Sequence, residues 1–202
     1  MMVIHGMMQN NLVIGLTGGS GCGKSIFAKA AVDLGFTHID ADVIGHNIIR
    51  KGNLAYDKVI DTFGRSILDE NGEIIRRKLG EIVFSDTGKL ETLNKILHPL
   101  ITDKILSMID GPTVIDGAVL HKTPDIIKLC KHIVAIVNST ERRIKFICDR
   151  DKIDESSALK RISSQPDNDF YSNIADFVIT SDSDAESLYN KSIEVIKRCK
   201  GA

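Results

Sequence analysis

Eight consecutive residues carry the strongest chemical signal in the chain. Gly18, Gly19, Ser20, Gly21, Cys22, Gly23, Lys24 and Ser25 satisfy the pattern G-x-x-x-x-G-K-[ST] at every defined position. Glycines let the backbone turn without a Cβ clash and approach a ligand closely, so several N–H groups can converge on one anion at the positive end of a following helix. The phosphate chain of a nucleotide such as ATP fits that chemistry. Lys24 would supply a flexible point charge for the β- and γ-phosphates, and the Ser25 hydroxyl would complete the coordination of a Mg²⁺ carried by the nucleotide. The plain alternative, a glycine-rich turn that matches by accident, has the flanks against it: an apolar strand pattern at Leu12–Thr17 comes before, and helical spacing at Ile26–Val32 comes after. Cys22, close to a helix N-terminus, is expected to favour thiolate and to be shielded from alkylation by MgATP. Filling a variable position of the motif is the simpler account of it.

A second group of residues is acidic. Asp40-Ala41-Asp42 closes the pattern of a second short strand, Phe36–Asp40. If the extended backbone persists through the tripeptide, both carboxylates project to one side at the carboxyl end of a parallel strand, where open α/β sheets place their ligands. Alternatively, Asp42 caps a helix over Val43–Arg50. Asp116 ends a third strand pattern, Pro112–Gly117. An acid at that place can hold Mg²⁺ directly or through water, or can be an ordinary turn residue after a strand. His98 is equally open between substrate contact and a satisfied helix-terminal role.

The elements that must position these groups follow from the rest of the pattern. Two further strand patterns, His132–Val137 and Asp176–Thr180, give five strands that alternate with helices, which implies an α/β fold with a parallel sheet. Between the second and third strands, residues 53–110 read as helices over Leu54–Phe63, Ile74–Phe84 and Lys89–Leu97, with Asp69–Gly72 as a turn. Pro99 is expected to open one more helix, ending near Gly111. Such a helical insertion cannot extend the sheet; it can wall in a second substrate. Ser139–Gln165 is a charged helical stretch with Arg142, Arg143, Lys145, Arg150, Lys152, Lys160 and Arg161 among several acids. Each of these charges alone reads as a solvated face, but a stretch following the fourth strand of a phosphate-loop kinase can close over the nucleotide.

At 202 residues the chain has room for one sizeable core plus a small insertion. Its 43% hydrophobic and 26% charged residues are those of an ordinary soluble protein, and a net charge of −1 gives no global attraction to nucleic acid or membrane. Four scattered cysteines, Cys22, Cys130, Cys148 and Cys199, form no C-x-x-C pair and point to a reducing, cytoplasmic compartment. Residues 1–11 lack the features of a signal peptide and read as a loose extension. Asn94-Lys95-Ile96-Leu97 lacks the acid of a guanine-recognition motif, which argues against a GTPase switch.

From Val13 to about Lys197 the sequence resembles the dephospho-coenzyme A kinase family. The likeness is carried by Gly15-Leu16-Thr17-Gly18-Gly19 leading into Gly23-Lys24-Ser25, by Ile39-Asp40-Ala41-Asp42, by Phe63-Gly64, Arg76, and by His98-Pro99-Leu100-Ile101. Late in the chain it continues with Arg143-Ile144, Arg150-Asp151, Arg161-Ile162, Gln165 and Ala175-Asp176-Phe177-Val178-Ile179. The order and spacing of these pieces are more specific than the phosphate loop, which unrelated activities share.

The resemblance implies ATP-dependent phosphorylation of the ribose 3′-hydroxyl of dephospho-coenzyme A, the last step of coenzyme A synthesis. It implies a five-stranded P-loop NTPase core (12–41, 112–140 and 172–202), a helical substrate-binding domain (42–111) and a helical lid (141–171). Asp42 would accept or orient the hydroxyl proton, Asp40 would help fix substrate and metal, and Arg150 would belong to the lid and act on ATP with Lys24. Arg76 and His98 would join Asp40 and Asp42 around the substrate, and Ser25, Asp40 and Asp116 around Mg²⁺. The expected form is a monomer or weak homo-oligomer. Three departures stand out: Thr102 follows Ile101 where many members have arginine, Leu120-His121-Lys122 replaces Leu-Phe-Glu, and Phe146 falls where a lid arginine is common. Arg143 or Arg150, each about one helical turn away, could compensate. Another phosphate-loop kinase of nucleosides, nucleotides or sugars, or a non-catalytic nucleotide-binding module, is the rival reading.

Overall fold

The computed structural model describes residues 11–117, 120 and 123–201, so His121, Lys122 and the N-terminal extension up to residue 10 lie outside the described residues. The strands are β1 (Val13–Thr17), β2 (Thr37–Asp40), β3 (Thr113–Asp116), β4 (His132–Val137) and β5 (Phe177–Thr180). They form one parallel sheet in the order β2-β3-β1-β4-β5. All five residues of the central strand β1 are buried, as a strand covered on both faces must be. The outer strands, β2 and β5, are four residues long.

The chain divides into two compact units, one running to Asp40 and resuming at Ile109, the other spanning Ala41–Met108. In the first, α1 (Lys24–Asp33) and α10 (Ala185–Gly201) cover one face of the sheet, where Phe27, Ala31, Leu188 and Ile196 pack with Ile14, Leu16, Val134 and Ile136. The opposite face presents Ala135 and Val137 to Tyr171 of α9 (Asn168–Asn173). α1 ends as the sequence predicts: Gly35 takes φ 84°, its N–H reaches Val32 O at 2.9 Å and the Phe36 N–H reaches Ala31 O at 3.0 Å. These two bonds satisfy carbonyls that the helix end would otherwise leave open. A short helix, α6 (Pro124–Ile127), precedes β4.

The charged stretch after β4 forms two helices, α7 (Thr140–Asp151) and α8 (Glu155–Ser163). The break falls at Lys152, the one non-glycine with positive φ (54°) among the described residues, and Asp154 then caps α8 by accepting the Ser157 N–H at 2.7 Å. Ile147, Ala158 and Ile162 form the small core that holds the pair together.

The second unit is helical, with α2 (Ala41–Ile48), α3 (Tyr56–Phe63), α4 (Arg76–Phe84) and α5 (Thr87–Leu106) around Ile48, Val59, Ile67, Leu79, Leu93, Ile101 and Ile105. The Asp69–Gly72 turn is present, its Asp69 carboxylate accepting the N–H groups of Asn71 and Glu73. Pro99 corrects the sequence reading. It does not open a helix but lies inside the 20-residue α5. A mid-helix proline costs ~3 kcal/mol through its missing N–H and ring clash. Buried anchors on both sides of it, Leu93 before and Ile101 and Ile105 after, hold the helix continuous.

Candidate active site

β1 hands the chain to the phosphate loop at Thr17, and α1 takes it up at Lys24. Gly18 has φ 134°, and a Cβ there would lie 2.3 Å from Ile136 O. Only glycine fits both the angle and the space. Gly23 sits at the N-cap of α1 in the left-handed region with no side-chain cap, which leaves the first N–H groups of the helix for a ligand. Lys24 Nζ donates to Gly18 O at 3.0 Å, arching its ammonium over the loop. Ser25 is exposed in the first turn of α1.

Two acids stand at the same edge of the sheet. Asp40 and Asp116 are register partners across the β2–β3 ladder, and Asp116 in turn is the partner of Leu16. Two strand spacings, roughly 10 Å, therefore separate the Asp40 backbone from that of β1 just before the loop. Among the described residues, Asp116 Oδ1 is buried without a hydrogen-bond partner, as is the hydroxyl of Thr17 on the next strand. The other Asp116 oxygen lies 3.9 Å from His38 Nε2, and this carboxylate, followed by Asp40, holds the His38 imidazolium above its ordinary range. A buried carboxylate oxygen without a donor suits a cation or its water. Among the described residues no set of three or more His, Cys, Asp or Glu could hold a metal alone.

The tripeptide Asp40-Ala41-Asp42 differs from both readings of the sequence, the extended one and the one that makes Asp42 the cap of a helix from Val43. The strand ends at Asp40 and α2 begins at Ala41, so Asp42 lies in the first turn of a helix and not at i+2 of an extended segment. The apolar spacing of Val43, Ile44 and Ile48 draws the backbone into a helix two residues earlier than expected. A carboxylate there also favours the helix N-terminus. In the second unit, Arg76 at the start of α4 meets His46 of α2, Nη2 to Nε2 at 2.5 Å. A guanidinium can only donate, so His46 Nε2 is the acceptor in this contact. His98 is half-buried on α5, one turn before Ile101.

Cys22 corrects a further expectation. Its side chain points into the core and is 1% exposed. Burial raises its pKa against the opposing pull of Lys24 and Arg143, so the desolvation of a thiolate outweighs the helix N-terminus. Cys22 contributes its backbone to the loop, not a reactive sulfur.

Arg150 is exposed near the end of α7 and paired with Asp151, Nε to Oδ1 at 2.7 Å and Nη2 to Oδ2 at 2.9 Å; Arg161 of α8 pairs with the same carboxylate. These two guanidinium groups hold Asp151 far below the usual carboxylate range. The arginine at the phosphate loop is Arg143, two turns earlier and about 10 Å away along the helix axis. It is 3% exposed, with Nε donating to Ser20 O at 2.9 Å and Nη2 to Gln165 Oε1 at 3.1 Å. Phe146, at the position where a lid arginine is expected, is half exposed. Gln165, part of the family likeness but given no role from the sequence, bonds both Ser20 and Arg143. The available signal for Arg143 was its phase: it lies four residues before Ile147, on the buried face of α7.

Comparison with known proteins adds the following. A family model described as dephospho-CoA kinase matches residues 12–187. The dephospho-CoA kinase of Fusobacterium nucleatum is 38% identical over 191 residues, covering 89% of this chain and 94% of the relative. That of Carboxydothermus hydrogenoformans is 36% identical over 195 residues, covering 93% and 94%. Among solved structures, a dephospho-CoA kinase from Campylobacter jejuni superposes with a TM-score of 0.66 at 28% identity, covering 94% of this chain and 98% of its own. Among the described residues, no helix is long and apolar enough to cross a membrane.

Proposed function

The chain belongs to the dephospho-CoA kinase family, and we infer from that membership that it transfers the γ-phosphoryl group of ATP to the ribose 3′-hydroxyl of dephospho-coenzyme A, giving coenzyme A and ADP. The observation that carries this reading is the row Asp40, Asp116, Leu16 at the sheet edge, which sets two carboxylates beside the strand that feeds the phosphate loop.

The residues take the following parts. Backbone N–H groups after Ser20, from Gly21 to Ser25 at the start of α1, cradle the phosphates, and Lys24 exchanges the Gly18 carbonyl for their oxygens. Ser25, Asp40 and Asp116 would hold a Mg²⁺ delivered with ATP, which when bound neutralises charge on the β- and γ-phosphates. Asp42 orients the attacking hydroxyl and receives its proton. Arg76 and His98, with Asp40 and Asp42, hold dephospho-coenzyme A, and residues 42–111 are the substrate-binding domain. Residues 141–171 act as the lid, with Arg150 released from Asp151 to reach ATP. Because phosphoryl transfer passes through a loose transition state, placement and charge neutralisation matter more than a strong base. Four unpaired cysteines support a reducing, cytoplasmic setting for a monomer or weak homo-oligomer.

The test is a phosphoryl-transfer assay with MgATP and dephospho-coenzyme A, run against nucleosides, nucleoside monophosphates and sugars as acceptors. Product with the 3′-phosphate from dephospho-coenzyme A alone is expected. Transfer to another acceptor with none to dephospho-coenzyme A would overturn the reading.

A further inference from the structure

Every polar group of Ser20 is taken by two side chains from the distant α7–α8 segment. Its N–H donates to Gln165 Oε1 at 2.8 Å, its hydroxyl accepts from Gln165 Nε2 at 2.9 Å, and its carbonyl accepts from Arg143 Nε at 2.9 Å. Arg143 Nη2 closes the circuit on Gln165 Oε1 at 3.1 Å. Gln165 thus imitates a peptide group, pairing donor and acceptor with a single residue of the loop.

The adjoining glycine has a steric reason to be one. Gly19 is absent from the residues with positive φ, so its backbone angle does not call for glycine. A Cβ on Gly19 would instead lie 2.2 Å from Arg143 Nη2 and 2.7 Å from its Cζ. The guanidinium is buried and tied at two nitrogens, so moving it aside breaks its bonds to Ser20 and Gln165. On the next turn of the loop, a Cβ on Gly21 would lie 2.7 Å from the Arg143 carbonyl oxygen. The loop and α7 are fitted to each other over three consecutive residues.

We propose that Arg143 and Gln165 are positioning residues that set the phosphate loop in its nucleotide-receiving shape through Ser20, and that Gly19 is small in order to admit the Arg143 guanidinium. The brace spends the Ser20 N–H on Gln165, so phosphate is gripped by the N–H groups that follow it. It also joins the root of the proposed lid to the loop, so a disturbance of either reaches the other. The proposal rests on the phosphate loop being the ATP site, and it acts on ATP before any acceptor is present.

The experiment measures amide hydrogen exchange of the loop in the ATP-free protein and MgATP binding by calorimetry without dephospho-coenzyme A. Gln165→Leu is expected to speed exchange of the peptide containing Ser20 and to weaken MgATP about tenfold, the scale of one to two lost hydrogen bonds, while the KM for dephospho-coenzyme A stays within about twofold. Arg143→Lys keeps the charge but loses the planar fork, and is expected to behave like Arg143→Ala. Gly19→Ala is expected to weaken MgATP about tenfold in the parent protein but less than about twofold in the Arg143→Ala background, since the clash it creates has then gone. Unchanged exchange and binding in Gln165→Leu, or an equal cost of Gly19→Ala in both backgrounds, overturns the proposal. So does loss of folding by Gly19→Ala in both; rescue of folding by Arg143→Ala supports it. A parent protein that binds no MgATP would instead overturn the kinase reading, whereas the exchange measurement stands apart from it.

Discussion

Asp40 and Asp116 are register partners on neighbouring parallel strands, and the buried Asp116 Oδ1 has no hydrogen-bond donor among the described residues. Two carboxylates side by side repel, and a cation between phosphate and protein relieves that repulsion. Asp116→Asn, which removes the charge and keeps the shape, is therefore expected to raise the Mg²⁺ concentration for half-maximal rate by ~10-fold or more. Initial rates across a Mg²⁺ titration at fixed ATP check this; an unchanged Mg²⁺ requirement would exclude Asp116 from the metal's surroundings.

Asp42 lies in the first turn of α2, two residues beyond the strand end. Asp42→Asn is expected to lower turnover about 100-fold, the usual weight of a positioned acid–base group. Binding of MgATP, followed by calorimetry, should stay within about twofold, because the residue acts on the acceptor. A variant that keeps near-normal turnover would remove Asp42 from the chemistry.

Arg76 is exposed but oriented by its bond to His46. If it holds an anionic part of dephospho-coenzyme A, Arg76→Ala should raise the KM for that substrate about tenfold or more, the loss of one charged hydrogen bond, with the KM for ATP little changed. Equal effects on both Michaelis constants would point to a structural role instead.

The Arg150–Asp151–Arg161 link gives a signed pH dependence. Arg150 and Arg161 depress the Asp151 pKa in the folded chain, so the stabilisation is present above the unfolded value of about 3.9 and is lost as pH falls through the lower folded value. In urea unfolding at several pH values, Asp151→Asn should lie below the parent by a constant amount above about pH 5, and the gap should narrow below about pH 4. A gap that widens in acid would contradict the pairing.

All four thiols are held above their ordinary pKa by burial, Cys130 to about 12 and Cys199 to about 11. Native protein treated with a thiol-exchange reagent near pH 8 should react slowly, and the half-buried Cys130 and Cys148 should precede Cys22 and Cys199. The unfolded chain should release four equivalents at once. Rapid labelling of native Cys22 would show that the loop opens far more often than its packing suggests.

Much of this architecture was legible in the residues. β-branched runs such as His132–Val137 announced the buried strands, and glycine at 35 announced the end of α1, because backbone freedom and hydrophobic period are local properties. Local rules erred where a distant partner decided the outcome. Pro99 reads as a helix start, yet buried neighbours on either side carry the helix through it. Cys22 reads as a reactive thiol by its position on the chain, yet the core into which it points governs its proton. Arg143 and Gln165 were visible as letters, but their closure on Ser20 spans 123 and 145 positions and has no periodic signature.

The outermost strands, β2 and β5, are four residues each. A foreign polypeptide attempting to annex either flank would gain only a few backbone bonds before the ribbon ended, too little to recompense the ordering of its own chain. Brevity at the margins thus works against fibrillar stacking along either flank of the sheet.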